Sequence, residues 1–379
     1  MSETTFAKGL EGVIAAESKI CRIDGAAGLL SYRGYEIGDL ATHSNFGESA
    51  WLLLFGQLPT KAELDGFNAR LAKARAVDPS ILAVLEGLPK DTHPMVALQA
   101  AVAAHGGLNP VAGGPGQENV DRAIDLIARF PTIVAAWARI REGKPVVAPR
   151  EDLGHGQNFL YMLNDEVPDE ETGHIFDVCL ILHMEHSFNA STFAGRVVAS
   201  TLAPLDAAVS AAVGALYGPL HGGANEGVLK MLEDVPEASK AGAWVDTALQ
   251  NKVKIMGMGH RVYKAKDPRS FVLEGYLKRI SEKKNNSYNY DRLKAIEARM
   301  AEIMEEQGRK IYPNVDFFAG SLYTLLGIKV EDFTSIFAIA RVVGWTSHII
   351  EQWEDNRIFR PKALYTGNND LTWKPFEER

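Results

Sequence analysis

The sequence of 379 residues is poor in cysteine, in long apolar runs and in signals for β-strands. Its two cysteines, Cys21 and Cys179, are too far apart to form a disulfide framework or a zinc-ribbon pattern. This sparing use of cysteine fits a reducing compartment, and we expect a cytoplasmic location. The first ten residues lack the apolar core of a secretion signal and the arginines of a transit peptide.

The chain also lacks an excess of positive charge, since its formal net charge is −8. This argues against broad nucleic-acid binding, so an anionic ligand would have to be attracted by a local cluster of Arg, Lys and His. The most apolar stretch, residues 201–220, contains Pro204 and Asp206 and leads into His221. This favours a buried helix over a membrane span. We therefore expect neither nucleic acid nor a membrane among the partners.

The patterns that are present predict helices almost throughout the chain. Candidate strands are confined to residues 10–23 and 29–33. Apolar residues make up 46% of the chain, enough for a sizeable core, and its length suffices for two domains or one large one. No long disordered linker is evident, so we expect any second domain to be inserted in the first.

Helix boundaries are signalled at several places. Residues 48–56 predict a short apolar helix closed by glycine, and Thr60 is a natural cap for the next helix in a capping-box pattern. Residues 118–141 predict an amphipathic segment with a break at Pro131. Asp291 is predicted to cap a helix that follows it.

The most informative stretch is residues 256–269, which read Met-Gly-Met-Gly-His-Arg-Val-Tyr-Lys-Ala-Lys-Asp-Pro-Arg. Gly257 and Gly259 let the backbone approach a ligand closely. His260 follows them, and its ring can titrate near neutral pH. Arg269 comes after the Asp-Pro break as a two-pronged carboxylate binder. The arrangement predicts an anionic substrate that meets an acid–base group.

Two histidines lie three positions apart in residues 183–193. On a helix, His183 and His186 could share a face, which one interpretation takes as a metal site. No third ligand follows at a recognisable spacing, and no cysteine is near. The other interpretation is a pair of core or capping histidines.

His221 and Asp316 each allow a structural and a chemical interpretation. Gly-Pro before His221 ends an apolar helix, and at such a junction backbone dipoles can fix the ring's tautomer and lower its tendency to charge. Alternatively, it is a turn histidine satisfied by the backbone. Asp316 precedes an apolar run, where Asp is a favoured helix cap. Between Val315 and Phe317 it would also be partly desolvated, which raises the pKa of its carboxyl and makes it a better base.

Two arginines near the C-terminus are further candidates. Arg341 lies within the apolar run 335–350, where a buried guanidinium must meet a carboxylate. That carboxylate could come from a ligand, from Glu351 or from another chain. Arg360 precedes a proline, and its ordinary interpretation is an exposed terminal charge.

Together these strings resemble the citrate synthase family. Residues 256–269, Gly-Pro-Leu-His-Gly-Gly-Ala-Asn at 218–225 and Tyr-Pro-Asn-Val-Asp-Phe at 312–317 are similar to three of its signatures. The resemblance implies a mainly α fold with two helical domains and a few short N-terminal strands. The large domain would comprise 1–221 and 331–379, and the inserted small domain 222–330.

The same resemblance implies an acyltransferase of the tricarboxylic acid cycle that condenses acetyl-CoA with oxaloacetate and hydrolyses the thioester to citrate and CoA. It implies a homodimer, no metal and no tightly bound cofactor, with the coenzyme A thioester as a substrate. The catalytic residues it implies are His221, His260 and Asp316. Oxaloacetate would be held by His186, Arg269, Arg341 and, from the partner subunit, Arg360. The positions that match coenzyme A contacts are Gly257, Met258, Gly259, Lys264 and Asn314.

Three alternatives remain open. The nearest is a 2-methylcitrate synthase that accepts propionyl-CoA, because one extra methylene changes binding in a pocket by only about 1–3 kcal/mol. A metallohydrolase built on His183, His186 and another histidine belongs to a different class. A helical scaffold with a decayed site is the third.

Overall fold

The computed structural model describes residues 6–260 and 262–379, and within them the chain is predominantly helical. Three short strands precede the first α-helix: β1 (Cys21–Asp24), β2 (Leu29–Tyr32) and β3 (Tyr35–Glu36). The sixteen α-helices of these residues are α1 (Ile37–His43), α2 (Phe46–Phe55), α3 (Lys61–Ala74), α4 (Pro79–Glu86), α5 (Pro94–Leu108), α6 (Gln117–Arg141), α7 (His155–Asn164), α8 (Glu170–His183), α9 (Ala190–Ala199), α10 (Leu205–Tyr217), α11 (Ala224–Glu233), α12 (Ala241–Gln250), α13 (Pro268–Lys283), α14 (Tyr288–Glu306), α15 (Val315–Leu325) and α16 (Phe333–Glu354).

The strands form one antiparallel sheet in the order β1-β2-β3, with Cys21 opposite Tyr32. The prediction of a strand at 29–33 is confirmed, whereas only the end of 10–23 is extended into the sheet. Tyr32 is fully buried, and its hydroxyl lies 3.0 Å from the carbonyl oxygen of Ile181. This hydrogen bond joins the sheet to the end of α8, where the candidate histidines begin.

Local capping signals predict several helix ends correctly. Gly56 takes a left-handed conformation (φ +86°) directly after α2, as a glycine at a helix end often does. Thr60 and Glu63 form a complete capping box at the start of α3: the Thr60 side chain accepts from the Glu63 backbone, and Glu63 accepts from the Thr60 backbone N–H. These ends depend on neighbours within four residues, which is why the sequence reveals them.

Two boundary predictions are wrong. Helix α6 continues through Pro131 without a break. Residues 130–140 are all buried, so packing on every side holds the helix although proline removes one backbone donor. Helix α14 begins after Ser287, about one turn before the predicted cap, and the Ser287 hydroxyl lies 2.5 Å from a carboxylate oxygen of Asp291.

Helix α16 is the central helix of the core. It packs against α6, α8, α9 and α10, and nearly every residue from Phe333 to Ile349 is buried. Residues Val330–Glu354 are long and apolar enough to cross a membrane by length and composition, but 94% of the most apolar window is buried inside the protein. The burial of Arg341 in this helix therefore brings a guanidinium into the protein core.

Helices α11 to α15 pack among themselves as well as against the rest of the chain. Helix α15 contacts α11, α13 and α14, and α12 contacts α14. Contacts of α13 with α1 and α8 and of α11 with α16 join this group to the other helices. Among the candidate residues, Arg269 lies in α13 and Asp316 in α15, whereas Arg341 lies in α16.

Removal of a core side chain tests the packing of the helices around α8. Leu180 is fully buried, and Leu180→Ala should lower the free energy of unfolding by about 3 kcal/mol through lost contacts and a residual cavity. Leu58→Ala is the matched control because Leu58 is exposed. Urea unfolding followed by circular dichroism measures both, and equal effects of the two substitutions would contradict the assigned packing.

Candidate active site

The loop that carries His260 is held against the start of α15 by hydrogen bonds. The backbone N–H of Gly259 donates to the Tyr312 carbonyl at 2.8 Å, and that of Asn314 donates to the Gly257 carbonyl at 2.9 Å. The Asn314 side-chain amide also donates to the Gly259 carbonyl at 2.8 Å. Met258, between the two glycines, forms an isolated antiparallel bridge with Pro313. The pairing fixes the distance between the predicted acid–base groups.

Gly257 is needed in this pairing for two reasons. Its φ of +76° is a conformation that residues with a side chain rarely adopt. A Cβ added there would lie 2.8 Å from the Cα of Phe317 and 2.9 Å from the Val228 side chain. The loop therefore approaches α15 more closely than any other residue type at this position would allow.

Asp316 is the second residue of α15 and is not its cap. The side chain of Asn314 accepts the Asp316 backbone N–H at 2.9 Å, so the capping interpretation of Asp316 is wrong. Burial raises the pKa of the Asp316 carboxyl to about 6, although the nearby positive charges of Arg269 and Arg341 act in the opposite direction. A carboxyl with such a pKa is a better base than an exposed aspartate and is still ionised at neutral pH.

His260 is held in one tautomer by the backbone. Its Nδ1 accepts N–H groups from Val262 at 3.0 Å and Tyr263 at 3.2 Å. Burial, followed by the charge of Arg269, lowers the pKa of His260 to about 4. The ring is therefore neutral at pH 7, and its single proton is on Nε2.

His221 is held in the opposite tautomer. The backbone N–H of Ser191 lies 3.3 Å from its Nε2 and can only donate, which favours an accepting Nε2 and a ring proton on Nδ1. Asn189 Oδ1, 3.1 Å from the same nitrogen, would favour the other tautomer, but this oxygen already accepts the Thr192 backbone N–H. The Ser191 hydroxyl lies 2.8 Å from the same nitrogen and accepts from the Trp345 indole at 3.0 Å. Burial, and then Arg341, lowers the pKa of His221 to about 4. Backbone contact thus satisfies one nitrogen of this junction histidine and leaves the Nδ1 proton as a donor.

The two buried arginines differ in their partners. Arg269 lies against Asp267, with Nε donating to Oδ1 at 3.0 Å and Nη2 to Oδ2 at 2.8 Å. Arg341 is only 1% exposed; its Nε donates to the His183 carbonyl at 2.8 Å, and its Nη1 is buried with no hydrogen-bond partner among the described residues. Its predicted alternative partner, Glu351, instead pairs with Arg196 at 2.9 Å. A buried guanidinium with an unpaired N–H matches an anionic ligand.

His183 and His186 do not share a helix face, because α8 ends at His183. The His183 Nδ1 lies 2.7 Å from the Cys179 carbonyl, as expected for a core histidine. His186 lies in the following loop, with its ring centroid 5.4 Å from that of His260. In residues 6–260 and 262–379, no three His, Cys, Asp or Glu side chains are grouped so that they could hold a metal ion.

Comparison with known proteins shows the family of the chain. The family model for the citrate synthase C-terminal domain matches residues 9–362. The chain belongs to the citrate synthase family. A citrate synthase from Deinococcus radiodurans is 46% identical over 99% of this chain and 100% of its own length. A 2-methylcitrate synthase from Mycobacterium tuberculosis is 40% identical over 95% of this chain and 90% of its own length.

Solved structures of the family have the same fold. Citrate synthase from Pyrobaculum aerophilum superposes with a TM-score of 0.92 at 43% identity, covering 98% of this chain and 95% of that one. Citrate synthase from Thermoplasma acidophilum, solved as a ternary complex with carboxymethyl coenzyme A and oxaloacetate, gives a TM-score of 0.92 at 31% identity, covering 99% of this chain and 100% of that one. The mainly helical fold and the citrate synthase resemblance are therefore confirmed, and the metallohydrolase alternative receives no support.

Two predicted residues lie apart from the buried cluster. The side chain of Arg360 is exposed, and its Nη1 donates to the carbonyl of Pro361 at 3.0 Å. It lines a cavity of about 1220 Å³ between the N-terminal arm (residues 10–19) and the start of the C-terminal tail (residues 355–379). Lys264 is also exposed, and its backbone N–H donates to the Gly25 carbonyl at 2.7 Å. Within a single chain, neither contacts His186, His221 or His260.

Several residues of the site were not singled out from the sequence. Asn189 and Ser191 hold His221, Asp267 pairs with Arg269, and Tyr263 lies between His186 and His260. All four lie inside residues 183–193 and 256–269. Their closeness in sequence to the candidate histidines and to Arg269 is the one signal for them in the sequence, since their contacts depend on the fold.

Replacement of Asp316 tests the effect of burial on its carboxyl independently of activity. The pKa of 3.8 in an unfolded chain rises to about 6 on folding. Its protonated form therefore favours the folded state, an effect complete below pH 3.8 and lost as the pH rises through about 6. Asp316→Asn should thus melt at a higher temperature than the wild type at pH 8, and the difference should disappear at pH 4.

Thermal unfolding followed by circular dichroism at the two pH values measures this difference. Asp91→Asn is the control, because Asp91 is exposed and its replacement should change neither melting temperature. A melting temperature of Asp316→Asn at or below that of the wild type at pH 8 would contradict the raised pKa.

Proposed function

We propose that the protein condenses acetyl-CoA with oxaloacetate and hydrolyses the citryl thioester to citrate and free CoA. The observation that supports this most is the combination of two neutral histidines in opposite tautomers, His221 and His260, with the raised pKa of Asp316. Claisen-type condensation needs a base for a weak carbon acid and a separate hydrogen-bond donor for each of two carbonyls. These three residues can supply those roles.

The first step is proton removal from the methyl group of the thioester. Asp316 accepts this proton while the Nδ1 proton of His221 donates a hydrogen bond to the thioester carbonyl. The carbonyl oxygen then bears the developing negative charge, which the hydrogen bond stabilises. A neutral imidazole suits this role because its pKa of about 4 leaves it uncharged at pH 7.

The second step forms the carbon–carbon bond. The enolate carbon attacks the ketone carbon of oxaloacetate, and the ketone oxygen takes the proton from Nε2 of His260 as it gains negative charge. The proton that Asp316 removed from the methyl group then returns to His260 by way of water, so the imidazole ends the step neutral. Arg269, Arg341 and His186 hold the two carboxylates; the unpaired Nη1 of Arg341 supports this assignment. Water then cleaves the thioester, which releases the acid and the CoA thiol.

Coenzyme A enters as a substrate, with no tightly bound cofactor and no metal. We propose that the backbone of Gly257, Met258 and Gly259, together with Asn314, contacts the coenzyme. The exposed Lys264 supplies positive charge for its phosphates, as a point charge without the forked geometry of arginine. The chain's net charge of −8 makes such local positive charge necessary.

We further propose two domains, 1–221 with 331–379 and the inserted 222–330. The close packing of α11 to α15 among themselves supports this division. The cleft between the domains would close over the substrates and exclude water until the new bond has formed.

A homodimer would complete the site. The exposed Arg360 and the large apolar side chains exposed in the same tail, Leu364, Tyr365, Leu371, Trp373 and Phe376, support contact with a second copy. In this arrangement Arg360 reaches the oxaloacetate of the partner subunit.

We propose a cytoplasmic enzyme of the tricarboxylic acid cycle.

The alternative acyl substrate is propionyl-CoA. A relative named 2-methylcitrate synthase is 40% identical to this chain, against 46% for a citrate synthase. One methylene is worth only about 1–3 kcal/mol in a pocket, so a small change of shape could reverse the preference.

Thiol release from the two acyl-CoA substrates tests the proposed reaction. In the presence of oxaloacetate and a thiol-reactive dye, acetyl-CoA should give the higher kcat/KM, and Asp316→Asn should lose turnover by orders of magnitude while oxaloacetate still binds. A higher kcat/KM with propionyl-CoA would move the assignment to 2-methylcitrate synthase. The absence of oxaloacetate-dependent release with either substrate would refute both.

Mixed dimers test the position of Arg360. Arg360→Ala and Asp316→Asn should each be nearly inactive alone. If Arg360 acts across the interface, a dimer of one variant chain with the other contains one site with both native residues. Unfolding and refolding the two variants together should therefore restore thiol release, whereas each refolded separately should not. No recovery in verified mixed dimers would place Arg360 in its own chain's site or outside both sites.

A further inference from the structure

Tyr263 lies between the two histidines that face the proposed oxaloacetate site. Its hydroxyl oxygen is 3.2 Å from Nε2 of His186. Its ring centroid lies 5.7 Å from that of His186 and 4.7 Å from that of His260. The side chain is only 4% exposed, so its place is set by packing.

The backbone of Tyr263 also contributes to the site. Its N–H donates to Nδ1 of His260 at 3.2 Å, which helps to keep the His260 proton on Nε2. One residue therefore contacts both histidines, through its N–H on one side and its hydroxyl on the other. Replacement of the hydroxyl alone would leave the backbone contact intact.

The direction of the hydroxyl contact follows from what each group can donate. Burial, with Arg269 and Arg341 next in effect, lowers the pKa of His186 well below its ordinary value, so this ring is neutral and has one N–H. Burial raises the pKa of the Tyr263 phenol, which keeps its proton. Among the described residues this hydroxyl has no other hydrogen-bond partner. Donation from His186 to the phenol would leave the phenolic proton unpaired and buried, which is costly.

We propose that Tyr263 is a positioning residue: its hydroxyl donates to Nε2 of His186 and fixes the His186 proton on Nδ1, where it serves the anionic substrate. This inference rests on the proposed function, since it takes oxaloacetate as that substrate. The Nδ1–H of His186 is then in place as a donor before the substrate binds, and binding requires no change of tautomer. Preorganised donors of this kind lower the cost of binding.

The chain offers a matched control for the removal of one phenolic hydroxyl. Tyr276 also has its hydroxyl 3.2 Å from Nε2 of a histidine, in this case His174. That pair joins α13 to α8, and His174 is exposed. Tyr263→Phe and Tyr276→Phe therefore each remove one phenolic hydroxyl from a tyrosine–histidine contact. Only the contact of Tyr263 belongs to the proposed site.

Calorimetric titration with oxaloacetate measures the effect on binding without any turnover. Tyr263→Phe should weaken oxaloacetate binding about tenfold, the size expected for loss of one buried hydrogen bond. Tyr276→Phe should bind as the wild type does. In thiol-release assays the KM for oxaloacetate should rise more than kcat falls, and the KM for acetyl-CoA should change little. Wild-type oxaloacetate affinity in a folded Tyr263→Phe protein would overturn the proposal.

Nitrogen-15 NMR of labelled histidines tests the tautomer directly in the ligand-free protein. The chain has ten histidines, and His186→Gln identifies the signals of His186 by their loss. The wild type should show protonated Nδ1 and unprotonated Nε2 for His186, and Tyr263→Phe should show a mixture. A proton on Nε2 in the wild type would overturn the proposal even if Tyr263→Phe did not fold.

The two readouts separate this inference from the proposed function. If the wild type neither binds oxaloacetate nor releases thiol, the proposed function fails. The NMR comparison of the His186 tautomer in the wild type and in Tyr263→Phe then still tests whether Tyr263 fixes that tautomer. If the wild type is an active synthase and Tyr263→Phe matches it in binding and tautomer, the function stands and the role of Tyr263 fails.

Discussion

The pairing of residues 257–259 with residues 312–314 is the interaction on which the rest of the site depends. Three hydrogen bonds of 2.8–2.9 Å join the two segments, and the absence of a side chain at Gly257 permits their close approach. His260 follows one segment directly, and Asp316 follows the other by two residues. His260 and Asp316, more than fifty residues apart in sequence, are therefore held at a fixed separation. Concerted acid–base chemistry requires such fixed positions of the two groups.

Burial gives these groups their chemical character. It lowers the pKa of both His221 and His260 to about 4 and raises that of Asp316 to about 6. At pH 7 the result is two neutral donors and one ionised carboxylate. Two buried arginines beside them would repel a charged imidazole and attract a dianion, so the same positive field keeps the histidines neutral and binds the proposed substrate.

The accuracy of the sequence-based predictions follows the range of the interactions involved. The capping box at Thr60 and the helix end at Gly56 were predictable because each depends on neighbours within four residues. Pro131 predicts a break, but the helix continues, because burial of the surrounding residues outweighs the loss of one backbone hydrogen bond at the proline. The sequence correctly predicts a helix start beside Asp316, but the prediction of Asp316 as the cap is wrong, because Asn314 takes that role.

The sequence by itself determined the family, the mainly helical fold and the segments from which the candidate site is built, because the short strings around His221, His260 and Asp316 each carry enough residue types at fixed spacing. The tertiary structure decided what those residues can do. Whether Nδ1 or Nε2 of a histidine keeps the proton depends on which donor faces the other nitrogen, and for His221 that donor is Ser191, thirty residues away. The contact of Tyr263 with His186 and the unpaired Nη1 of Arg341 likewise arise only from packing. Tautomers, burial and unpaired donors are properties of three-dimensional surroundings, which no single segment encodes.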